Sequence, residues 1–320
     1  MQKFITLLAA IFLIITALNS AYACSAFKLT YNGHAMVAHN FDWGNKGGYV
    51  LISRAGLKRQ SKNIIDAIPL QWESKYGSVV FSLNDPSGKL NRDTIIGGMN
   101  ERGLVAAILW LGESQYPKSN DKAVLSSVQW AEYMLDNAKS VQDVIELSKK
   151  ITVATADYFG QKVMVHLTVY DATGQSAVLE YVKGKLNIYT GKDLPIPIIT
   201  NSTYPKSLAA FTQYKDKDVT QLPGGYWSIA RFVLGANYIN RLKLSSTNQL
   251  MPEAFNVLGY LIEPAFGDDP TDWSIVYDIN NKVIYYRDID NPQIRKVALS
   301  QINQLNGKEY KACNIMSKVC

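Results

Sequence analysis

Ala21-Tyr22-Ala23-Cys24 decides how the rest of the chain is read. Upstream lie one cation, Lys3, an apolar run from Phe4 to Leu18, and then small residues. Ala21 and Ala23 fit the small-x-small pattern of a signal peptidase site. The apolar run is roughly 15 residues, short of the ~20 that a bilayer span needs. The pattern predicts a cleaved export leader over residues 1–23 and a mature chain over 24–320 that begins with Cys24. Cleavage there would give one residue both a free α-amine, a base that works close to neutral pH, and a thiol that is nucleophilic as its thiolate. Base and nucleophile would then sit in one unit. Two other readings of Cys24 stay open at this point. It could be a lipid-anchored cysteine, although Ala21 and Tyr22 match that pattern poorly, or half of a disulfide.

The mature stretch is long enough for a large core, and one domain over 24–320 is the simplest reading. A hydrophobic content of 47% against 19% charged is that of a globular protein. No later apolar run reaches spanning length, so no stable membrane insertion is expected after processing. The formal charge of +6 is spread thinly, with no basic stripe for nucleic acid. Cys313 and Cys320 could close a small loop in the tail, which leaves Cys24 as the odd thiol in an oxidising compartment.

Ser25–Thr30 and Ala35–Asn40 read as strands around Asn32-Gly33, a dipeptide suited to a turn needing positive φ at both centres. The far end of that hairpin, His39-Asn40-Phe41-Asp42-Trp43, returns beside Cys24, so Asp42 is expected near the thiol. Tyr49–Arg54, Val79–Leu83 and Leu104–Leu111 read as further strands, with Gly97 to Gly103 as a turn. Ser127–Asn137 and Ser140–Ile151 read as helices, the second capped by Ser140 with Asp143. Val163–Tyr170, Ala177–Val182 and Lys185–Tyr189 form an expected antiparallel meander. Pro197–Thr200 is a short strand that delivers Asn201-Ser202. Ser228–Leu244 and Pro252–Ile262 read as helices, and Ser274–Asp278 with Lys282–Arg287 as a last hairpin. This order suggests stacked sheets covered by helices.

The histidines, His34, His39 and His166, form no metal-binding motif with the cysteines, so neither a zinc site nor any other metal is expected. There is no Walker loop and no Gly-x-Ser-x-Gly. His166 alternates within an apolar strand and reads as a core residue.

Five blocks in order carry a family likeness. Cys24-Ser25-Ala26-Phe27, His39-Asn40-Phe41-Asp42-Trp43, Gly98-Met99-Asn100-Glu101-Arg102-Gly103-Leu104, Thr200-Asn201-Ser202 and Ala230-Arg231-Phe232 resemble blocks of the choloylglycine hydrolase family. That family holds bile salt hydrolases and penicillin V acylases, within the N-terminal-nucleophile hydrolases. The resemblance implies an α+β fold, an αββα sandwich of two antiparallel sheets between helix layers. It also implies hydrolysis of a linear amide C–N bond without a cofactor, on a small-molecule acyl amide. Carried over position by position, Cys24 is the nucleophile, Asp42 the catalytic Asp, Asn201 the oxyanion-hole side chain and Arg231 the active-site Arg. His39, Asn100 and Trp110 fall at substrate-binding or auxiliary positions.

Two departures shape the expectation. The family usually has Arg where this chain has His39, and Arg is always charged whereas His is not. A neutral His39 that orients by hydrogen bonding is the favoured reading, with the rate following the α-amine. Where bile salt hydrolases often carry Asn, this chain has Trp110, as penicillin V acylases carry aromatics there. Trp110 and Tyr116 are expected to wall an aromatic pocket. An exported, periplasmic or secreted cysteine amidohydrolase is the resulting expectation. A related N-acyl amide or N-acyl homoserine lactone acylase, an acyltransferase, and an inactive exported binding protein of the same fold remain alternatives. A homo-oligomer is compatible with the sequence.

Overall fold

The structure, a computed structural model, describes residues 24–44, 47–267, 269–317 and 320. The expected leader, residues 1–23, lies outside them. The chain opens with β1 (Ser25–Tyr31) and β2 (His34–Asp42). Asn32 and Gly33 between them have φ of 46° and 77°, as the Asn-Gly pair requires. The register sets Ser25 opposite Asn40 and Ala26 opposite His39.

There follow β3 (Gly48–Ser53), β4 (Ser78–Asn84), β5 (Leu90–Asn100) and β6 (Val105–Trp110), then helices α1 (Trp130–Asn137) and α2 (Val141–Ser148). The Ser140 side chain accepts from the Asp143 N–H and caps α2. The meander is β7 (Val165–Tyr170), β8 (Ser176–Val182) and β9 (Lys185–Thr190), followed by the short β10 (Ile198–Ile199). Three helices come next, α3 (Tyr204–Tyr214), α4 (Ser228–Arg241) and α5 (Leu250–Tyr260). The last strands are β11 (Thr271–Asp278), β12 (Val283–Asp288), β13 (Arg295–Ala298) and β14 (Tyr310–Asn314).

These strands form two antiparallel sheets. The first runs β10-β1-β2-β11-β12-β13 and the second β9-β8-β7-β6-β5-β4-β3-β14. The sheets stack face to face. Phe81 of the second meets Trp273, Tyr277 and Tyr286 of the first at ring-centroid distances of 6.5, 6.4 and 5.7 Å. Aromatic pairs at such spacings add to plain area burial. The outer face of the first sheet is covered by α4 and α5, and that of the second by α1 and α2. The layers are therefore αββα.

Two stretches differ from the sequence reading. Gly97 and Gly98 are not in the turn but in β5, paired with Phe81 and Val80 on one side and Ala107 and Ala106 on the other. They are glycines because the neighbouring strands crowd them. A Cβ at Gly98 would lie 2.4 Å from the Val79 carbonyl oxygen. The turn itself is confined to Asn100–Gly103, where Gly103 has φ of 81°. The second difference is α3, absent from the sequence reading, in which Pro205 occupies the first turn, where a missing N–H does no harm.

Cys313 and Cys320 are joined in a disulfide and Cys24 is free. The bridge ties the chain end to β14, at the edge of the second sheet. Loop closure over so few residues stabilises by about 2–3 kcal/mol. Urea denaturation of Cys313→Ser/Cys320→Ser should show a loss within that range. Gly98→Ala should cost about 1–3 kcal/mol, the overpacking range, because a backbone oxygen cannot swing aside as a side chain would. An unchanged urea midpoint for Gly98→Ala would contradict the close approach.

Candidate active site

Cys24 precedes β1 and is buried. Its backbone N–H donates to Asn201 Oδ1 at 2.6 Å, and its carbonyl accepts from Arg231 Nη1 at 2.7 Å. Its thiol lies 3.9 Å from the Asp42 carbonyl oxygen. The open end of the β1–β2 hairpin, the segment after β10 and helix α4 thus meet at one residue.

Arg231 lies one turn into α4 and is 1% exposed. Nε donates to the Tyr226 carbonyl at 2.7 Å, Nη2 to Asn201 Oδ1 at 2.8 Å, and Nη1 also to Ser25 Oγ. The Asp42 carboxylate is 3.9 Å away and fully buried. Guanidinium cannot shed its proton, so these partners offset the cost of burying its charge.

Asn201 follows β10, the short edge strand. Its backbone N–H donates to Ser228 Oγ at 2.9 Å, and its Nδ2 donates to the Trp110 carbonyl at 2.9 Å. Ser228 also bonds Thr200 Oγ1 and Ser202 Oγ at 3.0 and 2.8 Å. Nδ2 carries a second N–H besides the one given to Trp110.

Burial pushes the Cys24 thiol up from its ordinary pKa, and Asp42 adds to this. The Asp42 backbone, the Arg231 charge and the Trp110 backbone pull the other way. Asp42 is itself raised well above the usual carboxylate range, chiefly by burial and further by Glu263 and Asp272. Arg231 and the Thr271 hydroxyl oppose that rise.

Two spaces share Trp110 in their walls. A narrow apolar cavity of about 40 Å³ is lined by Cys24, Phe41, Trp43, Ile108, Trp110 and Tyr158 among others. An open groove of about 980 Å³ runs past Trp110, Glu113, Asn201, Lys206, Trp227 and Ser228. Cys24 lines the cavity and Asn201 the groove, with Trp110 between them in both walls. The Trp43 and Trp110 rings are 6.2 Å apart. Among the described residues no group of three or more His, Cys, Asp or Glu is placed to hold a metal ion, and no helix is long and apolar enough to cross a membrane.

The sequence pattern of the choloylglycine hydrolase family, described as linear amide C–N hydrolases, matches residues 24–313. The chain belongs to that family. Penicillin V acylase from Pectobacterium atrosepticum is 29% identical over 92% of this chain and 86% of its own length. Bile salt hydrolase/transferase from Lactiplantibacillus plantarum is 26% identical over 63% of this chain and 72% of its own. The structure of penicillin V acylase from Agrobacterium tumefaciens superposes with a TM-score of 0.72 at 28% identity, covering 87% of this chain and 86% of that one. Like the rest of the choloylglycine hydrolase family, this chain is a hydrolase of C–N bonds in linear amides.

Of the residues singled out in the sequence, Cys24, Asp42, Asn201, Arg231 and Trp110 come together. Three expectations need correction. Asn100 is at the opposite end of the strand pair from Trp110 and is wholly committed to structure. Its Nδ2 donates to the Leu135 and Ala138 carbonyls, and its Oδ1 accepts from the Arg102 and Leu104 N–H groups. Tyr116 lines neither space; its hydroxyl bonds the Val165 backbone and its ring packs on Tyr181. His39 is buried, and burial depresses its pKa to about 3. It is not an orienter, because neither ring nitrogen has a partner among the described residues. The sequence reading passed over Ser25 and Ser228. Ser228 could have been found as the residue three before Arg231, on the same helix face.

Burying a neutral His39 links stability to pH. The unfolded chain binds this proton below about pH 6.5 and the folded chain only near pH 3, so the contribution is complete above 6.5 and lost as pH falls. The slope from this one group is about 1.4 kcal/mol per pH unit through that window. His39→Leu should therefore flatten the stability loss between pH 6 and 4. A pH–stability curve parallel to that of the wild type would show that His39 is charged in the folded state.

Proposed function

We propose that this chain is an exported cysteine amidohydrolase of the penicillin V acylase kind, with Cys24 as the first residue of the mature enzyme. The observation that carries the reading is the contact of Cys24 N with Asn201 Oδ1 at 2.6 Å, beside Arg231. Cleavage after Ala23 would turn that nitrogen into an α-amine already seated in the site. Its positive form would also favour the thiolate against the effect of burial.

In this mechanism the α-amine takes the thiol proton and the thiolate attacks the amide carbonyl carbon. The oxyanion is held by Asn201 Nδ2–H and the Trp110 backbone N–H. The C–N bond breaks as the α-ammonium returns its proton to the leaving nitrogen. Water, deprotonated by the same amine, then releases the acid from the thioester. Asp42 sets its carboxyl 3.9 Å from the guanidinium and its backbone carbonyl beside the thiol. Trp110 and Trp43 give the thiol an aromatic wall, which favours an arylacetyl or aryloxyacetyl acyl group over a steroid. The groove past Lys206 and Trp227 is broad enough for a second amine, and acyl transfer to such an acceptor is the second reading.

N-terminal sequencing and intact mass of the exported protein should start at Cys24, and active enzyme that retains residues 1–23 would overturn the mechanism. Cys24→Ser should fold as wild type, and Asn201→Ala should fold with reduced stability, because it also removes an acceptor of the buried Arg231. Losing the Asn201 donor should lower the rate about 10²–10³-fold. On a panel of penicillin V, acyl p-nitroanilides, N-acyl homoserine lactones and conjugated bile salts, penicillin V should be cleaved faster than the bile salts. Turnover of none of these, with no labelling of Cys24 by iodoacetamide at neutral pH, would point to an inactive binding protein instead.

A further inference from the structure

A buried polar pair lies behind Asn201 with no part in the mechanism above. Glu180 on β8 and His166 on β7 are both fully buried, and His166 Nδ1 lies 3.2 Å from Glu180 Oε1. The same oxygen accepts from the backbone N–H of Tyr204 at 2.8 Å. Tyr204 is the first residue of α3, three residues after Asn201. Thr203, the residue in the capping position of α3, makes no side-chain cap bond. The helix start is capped instead from the other sheet by a carboxylate, the charge that the positive end of a helix favours.

That placement is costly for a simple cap. Ser or Asp at 203 would cap α3 from solvent, whereas Glu180 puts an acceptor in the interior, where a polar group needs every partner it can find. What the longer route achieves is a tie between layers. The segment 201–204 is held to the second sheet at both ends, by Asn201 Nδ2 to the Trp110 carbonyl and by Tyr204 N–H to Glu180. Trp110, His166 and Glu180 stand on three adjacent strands, with His166 opposite Leu109 in the register. The Tyr204 hydroxyl donates to the Ile196 carbonyl at 3.0 Å and closes the other side. The span that presents the Asn201 amide is therefore clamped from below.

We propose that Glu180, held by His166, is a positioning residue for amide cleavage, setting the Asn201 amide at the thiol by capping α3 across the sandwich. The proposal rests on the reading of Asn201 as an oxyanion donor. A displacement of about 1 Å at such a donor can cost on the order of 10² in rate.

The test uses a reaction of Cys24 that develops no oxyanion. In alkylation by iodoacetamide, sulfur bonds to the CH₂ carbon and iodide leaves with the electron pair. The enzyme is the mature full chain, and the amide is whichever p-nitroanilide of the panel it cleaves best. Glu180→Leu should lower kcat about 10–100-fold with KM within about threefold, while the alkylation rate stays within about twofold. Glu180→Gln keeps an acceptor at the same place and should restore most of kcat. In an Asn201→Ala background Glu180→Leu should cost little more, because both act through one donor. Should Glu180→Leu not fold, His166→Leu frees the carboxylate without removing it and should move kcat the same way by less. A folded variant with wild-type kcat, a parallel fall of cleavage and alkylation, or multiplying costs in the double variant would overturn the proposal. Wild-type cleavage by Asn201→Ala alone would instead overturn the oxyanion reading beneath it.

Discussion

A guanidinium buried under α4 fixes the geometry of the site. Arg231 cannot neutralise itself, so its donors must be met by acceptors inside the protein. Those acceptors are the Cys24 carbonyl, Ser25 Oγ, Asn201 Oδ1 and the Tyr226 carbonyl. Each belongs to a segment with little reason of its own to be rigid: a strand entry, the end of a two-residue strand, the approach to a helix. Removing one acceptor leaves part of a buried charge unpaired, a loss of several kcal/mol. The cation thereby transfers the rigidity of the helix to the thiol and to the amide beside it.

Much of the fold is written in local pattern. The hairpin turn at Asn32-Gly33, the capped start of α2 and the meander from Val165 to Thr190 all follow from residues within a few positions of one another. The misreadings fall where a distant neighbour decides. Gly97 and Gly98 look like turn residues by composition, but they are small because Val79, Val80 and Ala106 press on them from adjacent strands. The start of α3 lacks a capping side chain of its own, and its cap arrives from Glu180 across the sandwich. A chain read in order cannot show an acceptor supplied 24 residues away.

The site was legible in a different way. Period-two alternation along β2 puts Asp42 and His39, three apart, on opposite faces. Asp42 therefore turns its carboxylate to the helix layer and Arg231, and only its backbone reaches the thiol. His39 faces the space between the sheets, between Ala26 and Ile275 in the register, neither of which offers a side-chain acceptor. Parity alone separates these two roles. The meeting of Cys24 with Asn201 and Arg231, at separations of 177 and 207 residues, is beyond local pattern. Only the resemblance of whole blocks could suggest it. The same likeness over-assigned Asn100, whose amide is spent closing its own turn and holding the end of α1.

The substitution at 39 then bears on charge. An Arg there would add a second permanent cation to a core that already holds Arg231, and it would need acceptors the flanking strands do not present. A buried neutral imidazole asks for less, since desolvation removes its charge rather than forcing it to find a partner. Fixed positive charge near the thiol is then left to Arg231, which is already shared with Cys24, Asn201 and Asp42. Backbone groups of Asp42 and Trp110 also favour the thiolate, and a further positive charge could come from the Cys24 nitrogen itself. Among the named groups it is the one whose charge would depend on removal of the preceding residues, so that under the proposed mechanism processing and activation would be one event at one atom.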